Sequence, residues 1–228
     1  MMEQLRCHAD ERQLAQCVYC GGATETRDHI PSKVLLDEPY PSNLPVVPAC
    51  ETCNKGFSLD EEYLACLVDC AVTGSTSANG AHREKVSGIL ARKPALASML
   101  ADARREANGR VAFAIAPDRV EHVVLKLARG HAAYELSEPQ LGEPSSLLCL
   151  PLESLSPDVR ERFETPPSPS TWPEVGSRAM QRLAATFPAG ADWILVQAGR
   201  YRYMTAVSDA VVVRMVLSEY LACEVTWY

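Results

Sequence analysis

Two Cys-x2-Cys pairs, Cys17/Cys20 and Cys50/Cys53, constrain this chain more than any other feature of its sequence. Each pair sets two thiols on one tight backbone knuckle, and two knuckles supply the four soft ligands that a tetrahedral zinc takes. A zinc bound there would close the chain between Cys20 and Cys50 into a loop and hold whatever lies inside it. The enclosed and adjoining residues are polar: Asp28 and His29 side by side, then Asn43, with Asn54 directly after the last cysteine. The pattern points to a structural zinc, with chemistry carried by the residues it encloses.

The remaining composition narrows the class. A chain of 228 residues that is 47% hydrophobic and 22% charged can bury a real core. It has no apolar run near the roughly 18–20 residues of a membrane helix. The charged opening MMEQLRCHADERQLAQ lacks the apolar stretch of a secretory signal, so a cytoplasmic protein with no membrane partner is expected. Nine cysteines is an odd number. Cys7, Cys66, Cys70, Cys149 and Cys223 are scattered, and Cys66 and Cys70 fall in an apolar helical pattern suited to core packing. In a reducing compartment the paired cysteines are metal ligands rather than disulfides.

The net charge of −7 argues against a simple nucleic-acid binder, because phosphate neutralisation favours basic surfaces. Basic residues nevertheless cluster at His82-Arg83-Glu84-Lys85, Arg92-Lys93, Arg104-Arg105 and Arg110. Either a binding face or ordinary solvated helix faces would account for them.

The expected architecture is α+β in three parts: a zinc-stapled front over residues 1–74, a helical connector over 75–108, and a C-terminal α+β unit with an antiparallel sheet over 109–228. In the front, Thr24 to Ile30 and Leu44 to Val47 read as short strands. A capping-box pattern from Ser58 to Glu61 opens a helix that Gly74 closes. Helical patterns follow over 82–92, 94–107 and 118–136, with a turn at Asn108-Gly109 and a strand over 111–116. Further strands are expected at 146–151, 193–197, 201–207, 211–216 and 223–227, with a helix near 174–185 and a proline-rich loop from Thr165 to Pro173. Trp172, Trp193 and Trp227 are expected to pack in the C-terminal unit. His8, His82, His122 and His131 are expected to be surface or packing residues.

The residues inside the zinc-closed loop suggest a reaction. A carboxylate and an amide oxygen suit Mg²⁺ or Mn²⁺ better than zinc, so Asp28 and Asn54 could share one such ion. Neighbours on a strand point to opposite sides, so His29 would stand near that ion without binding it, free to take a proton from water. Together these supply a general base and a Lewis acid for phosphodiester hydrolysis.

The order Cys17-x2-Cys20, Asp28-His29-Ile30-Pro31, Ser42-Asn43-Leu44, Cys50-x2-Cys53-Asn54-Lys55 resembles the HNH endonucleases of the ββα-metal (His-Me finger) superfamily. The likeness covers about residues 15–60. It implies a strand–loop–strand–helix core, with His29 as general base, Asp28 and Asn54 as ligands of a catalytic Mg²⁺ or Mn²⁺, and Asn43 orienting the base through backbone contacts. Lys33 and Lys55 become candidates for substrate phosphate contact, although the family pattern fixes neither. Asparagine at the last position removes one histidine ligand, and the nearby Glu25, Asp37, Glu38, Glu51, Asp60, Glu61 and Glu62 oppose tight unaided binding to duplex DNA. The expected substrate is DNA, with RNA also open; a regulatory protein partner or a homo-oligomer is a further expectation, with the C-terminal unit gating access or bringing a partner. The competing expectation is a zinc-ribbon-like module that binds nucleic acid or protein without catalysis.

Overall fold

The computed structural model of the protein describes residues 14–80, 83–107, 110–167, 171–186 and 192–228. The fold is mixed α+β, built from a short hairpin, a helical middle and a five-stranded antiparallel sheet. Strands β1 (Thr26–His29) and β2 (Val46–Ala49) pair antiparallel, with Asp28 opposite Val47 and His29 opposite Val46. The second strand starts later than its apolar residues suggest and runs into the second knuckle, since all four of its residues are buried there.

Helix α1 (Glu51–Gly56) begins at that knuckle. Cys50 is its N-cap, and the Cys53 backbone N–H donates to Cys50 Sγ at 3.3 Å. Helix α2 (Ser58–Thr73) follows and stops at Gly74, whose φ of +68° suits a left-handed helix terminus. The anticipated capping box does not form. Phe57 holds the N-cap position, Ser58 Oγ donates to the Lys55 carbonyl at 3.0 Å, and Glu61 is drawn into an internal ion cluster.

Helices α3 (Glu84–Arg92) and α4 (Pro94–Ala103) come next. The helical pattern read through residue 107 ends earlier. Arg104–Ala107 forms strand β3 and pairs with β4 (Arg110–Phe113), the Arg104 guanidinium being anchored on the Gly74 carbonyl at 3.0 Å. The turn at Asn108-Gly109 lies outside the described residues, as do Cys7, His8 and His82. Helix α5 (Pro117–His131) runs on through a π-helical turn, Ala132–Leu136.

The large sheet has the order β5 (Ser146–Pro151), β9 (Leu221–Trp227), β8 (Val211–Leu217), β7 (Tyr201–Val207), β6 (Ile194–Gln197). Helices α6 (Pro157–Glu164) and α7 (Arg178–Thr186) accompany it. Trp227 is buried and Trp193 packs near Phe163, whereas Trp172 lies on the surface, 64% exposed. Cys66 and Cys70 are buried in the core as expected.

Buried apolar side chains from every part of the chain meet in one cluster. It includes Leu35 and Leu44 of the front, Leu64 of α2, Val86 of α3, Leu127 of α5, and Val213 and Val225 of the sheet. Asp60 fastens α5 to the front as well: Arg119 Nε and His122 Nδ1 lie 2.5 and 2.8 Å from its two oxygens at the start of α2. Part of the basic clustering is likewise consumed internally. Arg83 is buried, pairs with Asp37 at 2.8 Å and donates to the Val34 and Leu36 carbonyls. Lys85 Nζ is spent on the Lys33 and Leu36 carbonyls and the Tyr40 hydroxyl.

Gly130 sets how near α5 comes to the front. A Cβ there would lie 2.6 Å from both Cγ1 and Cδ1 of Ile30, the residue after His29. Gly130→Ala should therefore cost about 1–3 kcal/mol in overpacking against about 1 kcal/mol gained in helix propensity. The expected net result is a lower melting temperature, with that loss largely relieved in the Gly130→Ala/Ile30→Ala background. Additive losses in the double variant would show that the close approach does not matter.

Candidate metal centre and active site

The four paired cysteines converge. Their Sγ atoms all lie within 4.8 Å of one another, and Cys20 and Cys50 are 3.8 Å apart. Sulfurs ligating one tetrahedral zinc at about 2.3 Å stand roughly 3.8 Å apart, so the cluster could hold a structural metal such as zinc. The backbone supports it on both sides. Gly21 N–H donates to the Cys17 carbonyl at 2.8 Å, and Gly21 itself takes a φ of +73° immediately after the first knuckle. Around the cysteines, Val18, Tyr19, Ile30, Val47 and Phe57 form a second apolar cluster closed by Ala133 and Tyr134 of the π-helical turn.

Asp28 and His29 face opposite sides of β1, as adjacent strand residues must. Asp28 is buried, whereas the His29 ring is half-buried at the strand end. Nε2 of His29 is shut off from solvent and has no hydrogen-bond partner among the described residues. Burial first, then the Lys33 ammonium, hold the imidazole below its ordinary pKa; Asp28 opposes them and Lys126 adds to the lowering. The neutral ring, the form that can accept a proton, is therefore favoured.

The Asp28 carboxylate is well partnered. Its Oδ2 accepts from the Tyr19 hydroxyl at 2.7 Å and lies 2.8 Å from Lys126 Nζ. Burial and the negative charge of Asp28 push the Tyr19 hydroxyl well above its usual pKa, which keeps it a donor. Asn54 Nδ2 donates to Thr26 Oγ1 at 3.0 Å and to the Arg27 carbonyl at 3.3 Å. Thr26 and Asp28 are two apart on β1 and share a face, so the Asn54 amide approaches the face that carries Asp28. With its nitrogen turned to the strand, Asn54 keeps Oδ1 as the atom available to a metal. Asp28 and Asn54 thus lie toward one side of β1, and one Asp28 oxygen already carries an ammonium.

The other expected residues are dispersed. Asn43 is exposed in the turn before β2. That segment is tied to the end of β1 by Ile30 N–H donating to the Pro45 carbonyl at 3.0 Å. Lys33 begins a short 3-10 turn, close enough to His29 to affect its charge, with its ammonium 5.4 Å from the centre of the Tyr40 ring. Lys55 is exposed on α1 and paired with Glu51.

Sequence reasoning misses Tyr19 and Lys126, the two partners of Asp28, and the Ser32–Glu61 pair that shares the Lys126 ammonium. A signal for one of them was present: Lys126 interrupts the apolar run Val123-Val124-Leu125-Lys126-Leu127-Ala128, where a buried lysine implies buried acids. His131, expected to be a packing residue, is fully buried, donor or acceptor to the Tyr201 hydroxyl at 2.8 Å and stacked on Tyr203.

No family model matches the chain, and neither a curated protein nor a solved structure matches it. Among the described residues, no helix is long and apolar enough to cross a membrane.

Proposed function

We propose that the front of this protein is a divalent-metal-dependent endonuclease of the HNH type, hydrolysing phosphodiester bonds in DNA. The observation that carries the reading is His29. A neutral-leaning imidazole whose Nε2 has no hydrogen-bond partner among the described residues ends a strand whose preceding residue is a carboxylate, beside a four-cysteine cluster able to fix the hairpin. His29 would draw a proton from water as the water oxygen bonds to phosphorus and the bond to the leaving oxygen breaks. Asp28 and Asn54 would hold Mg²⁺ or Mn²⁺, which when bound supplies Lewis-acid stabilisation of the phosphate oxygens. Asn43 would support the loop behind the base, and Lys33 and Lys55 would meet phosphates. Zinc would be structural only.

One observation favours a second reading, a zinc-held binding module without catalysis: Asp28 is already satisfied by Lys126 and Tyr19. A supercoiled-plasmid assay with Mg²⁺, Mn²⁺ or EDTA separates the two. Metal-dependent nicking that falls with Asn54→Ala supports the nuclease. Equal, background-level cleavage by wild type and His29→Ala across metals and across DNA and RNA substrates leaves the binding module.

A further inference from the structure

The cation closest to Asp28 belongs to the chain itself. Lys126 lies on the buried side of α5 with its side chain only 1% exposed. Its three N–H donors meet Asp28 Oδ2 at 2.8 Å, Glu61 Oε1 at 2.6 Å and Ser32 Oγ at 2.7 Å. Ser32 Oγ in turn donates to Glu61 Oε1 at 2.5 Å, and the Phe57 ring centre lies 5.7 Å from Nζ. Two carboxylates and a hydroxyl around one buried charge are the kind of oxygen set that a hard divalent ion takes; here an ammonium occupies it. Buried charges of opposite sign offset part of one another's desolvation.

We propose that Lys126 is the resident cation of the Asp28 carboxylate, and that a divalent ion reaches Asp28 only in exchange for it. This rests on the reading of Asp28 as a metal ligand. Two cations on one carboxylate oxygen repel strongly where little water screens them. The ammonium therefore has to leave Oδ2, retaining Glu61 and Ser32, before a metal takes that oxygen. Lys126 is thus a positioning residue acting through Asp28. Helix α5, which lies outside the zinc-closed loop, sets how tightly the front holds its metal.

The test is a Mn²⁺ titration of the zinc-loaded protein, followed by the loss of the free-Mn²⁺ electron paramagnetic resonance signal. Lys126→Met, similar in length but uncharged, should tighten Mn²⁺ binding by about ten-fold or more, and adding Asp28→Asn should remove the gain. Mn²⁺ should also raise the melting temperature of Lys126→Met more than that of wild type. Lys126→Met leaves two carboxylates facing each other, so the charge-balanced Lys126→Met/Glu61→Gln variant is measured beside it, with the same tightening expected. Unchanged or weaker Mn²⁺ affinity in whichever variant folds overturns the proposal. Failure of both to fold with Mn²⁺ present also overturns it and makes Lys126 a structural counter-ion only. Cleavage is not a readout here. Tighter Mn²⁺ binding in a protein that never cuts DNA sinks the nuclease and leaves the exchange standing, while a cutting wild type with unchanged variant affinity does the reverse.

Discussion

Serine in place of Cys53 should strip the protein of zinc and unfold its front at room temperature. Zinc bound by a structural site in small finger domains contributes about 10–16 kcal/mol. That is as large as the roughly 5–15 kcal/mol by which whole domains are stable. The hairpin itself is short: four residues per strand, with Val47, Ile30 and Phe57 packed against the knuckles and the π-helical turn. The measurement is metal content by mass spectrometry, with thermal melting and hydrogen exchange over β1, β2 and α1. Wild type should carry one zinc per chain, and Cys53→Ser or chelator-treated protein should lose both the metal and protection of those strands. A zinc-free protein that melts at the wild-type temperature would show the four thiols to be incidental.

The second large effect is catalytic. His29→Ala should slow plasmid nicking by about 10²–10⁴-fold, the range that a positioned general base supplies, while zinc content stays whole. Its stability should move by less than about 1 kcal/mol, because the ring is half-buried and its Nε2 has no hydrogen-bond partner among the described residues. That split between rate and stability distinguishes a base from a packing residue. A variant that nicks at the wild-type rate would remove His29 from the chemistry, and one that loses its zinc or melts early would make the histidine structural.

Much of the architecture is legible in the sequence, because it rests on local rules. Paired cysteines with a glycine after the first knuckle give the cluster, and runs of aromatic and β-branched residues flanked by turn residues give strands 201–207 and 211–217 nearly to the residue. What escapes are the places where tertiary partners override a local pattern. Ser58 and Glu61 have capping-box spacing, yet Glu61 is worth more to a buried ammonium than to a helix end. Arg104 and Arg105 continue a helical pattern on paper, but pairing with β4 wins over one more turn. In the candidate site the sequence picks out the four cysteines that could hold a zinc and brings Asp28, His29 and Asn54 into one neighbourhood. It cannot show that Lys126, almost a hundred positions away, already occupies the Asp28 carboxylate, since periodicity marks a buried face without naming what that face meets.

The shared core has a consequence for how this chain can be divided. Leu64, Tyr63 and Leu44 share one buried cluster with side chains that arrive much later in the sequence, on α5 and the sheet. A fragment ending near Gly74 would keep its sulfur knuckles but present a greasy flank to water, and it would be as prone to clump as to fold. The catalytic candidates are therefore no detachable cassette: shuffling them into another protein would mean carrying most of this one along.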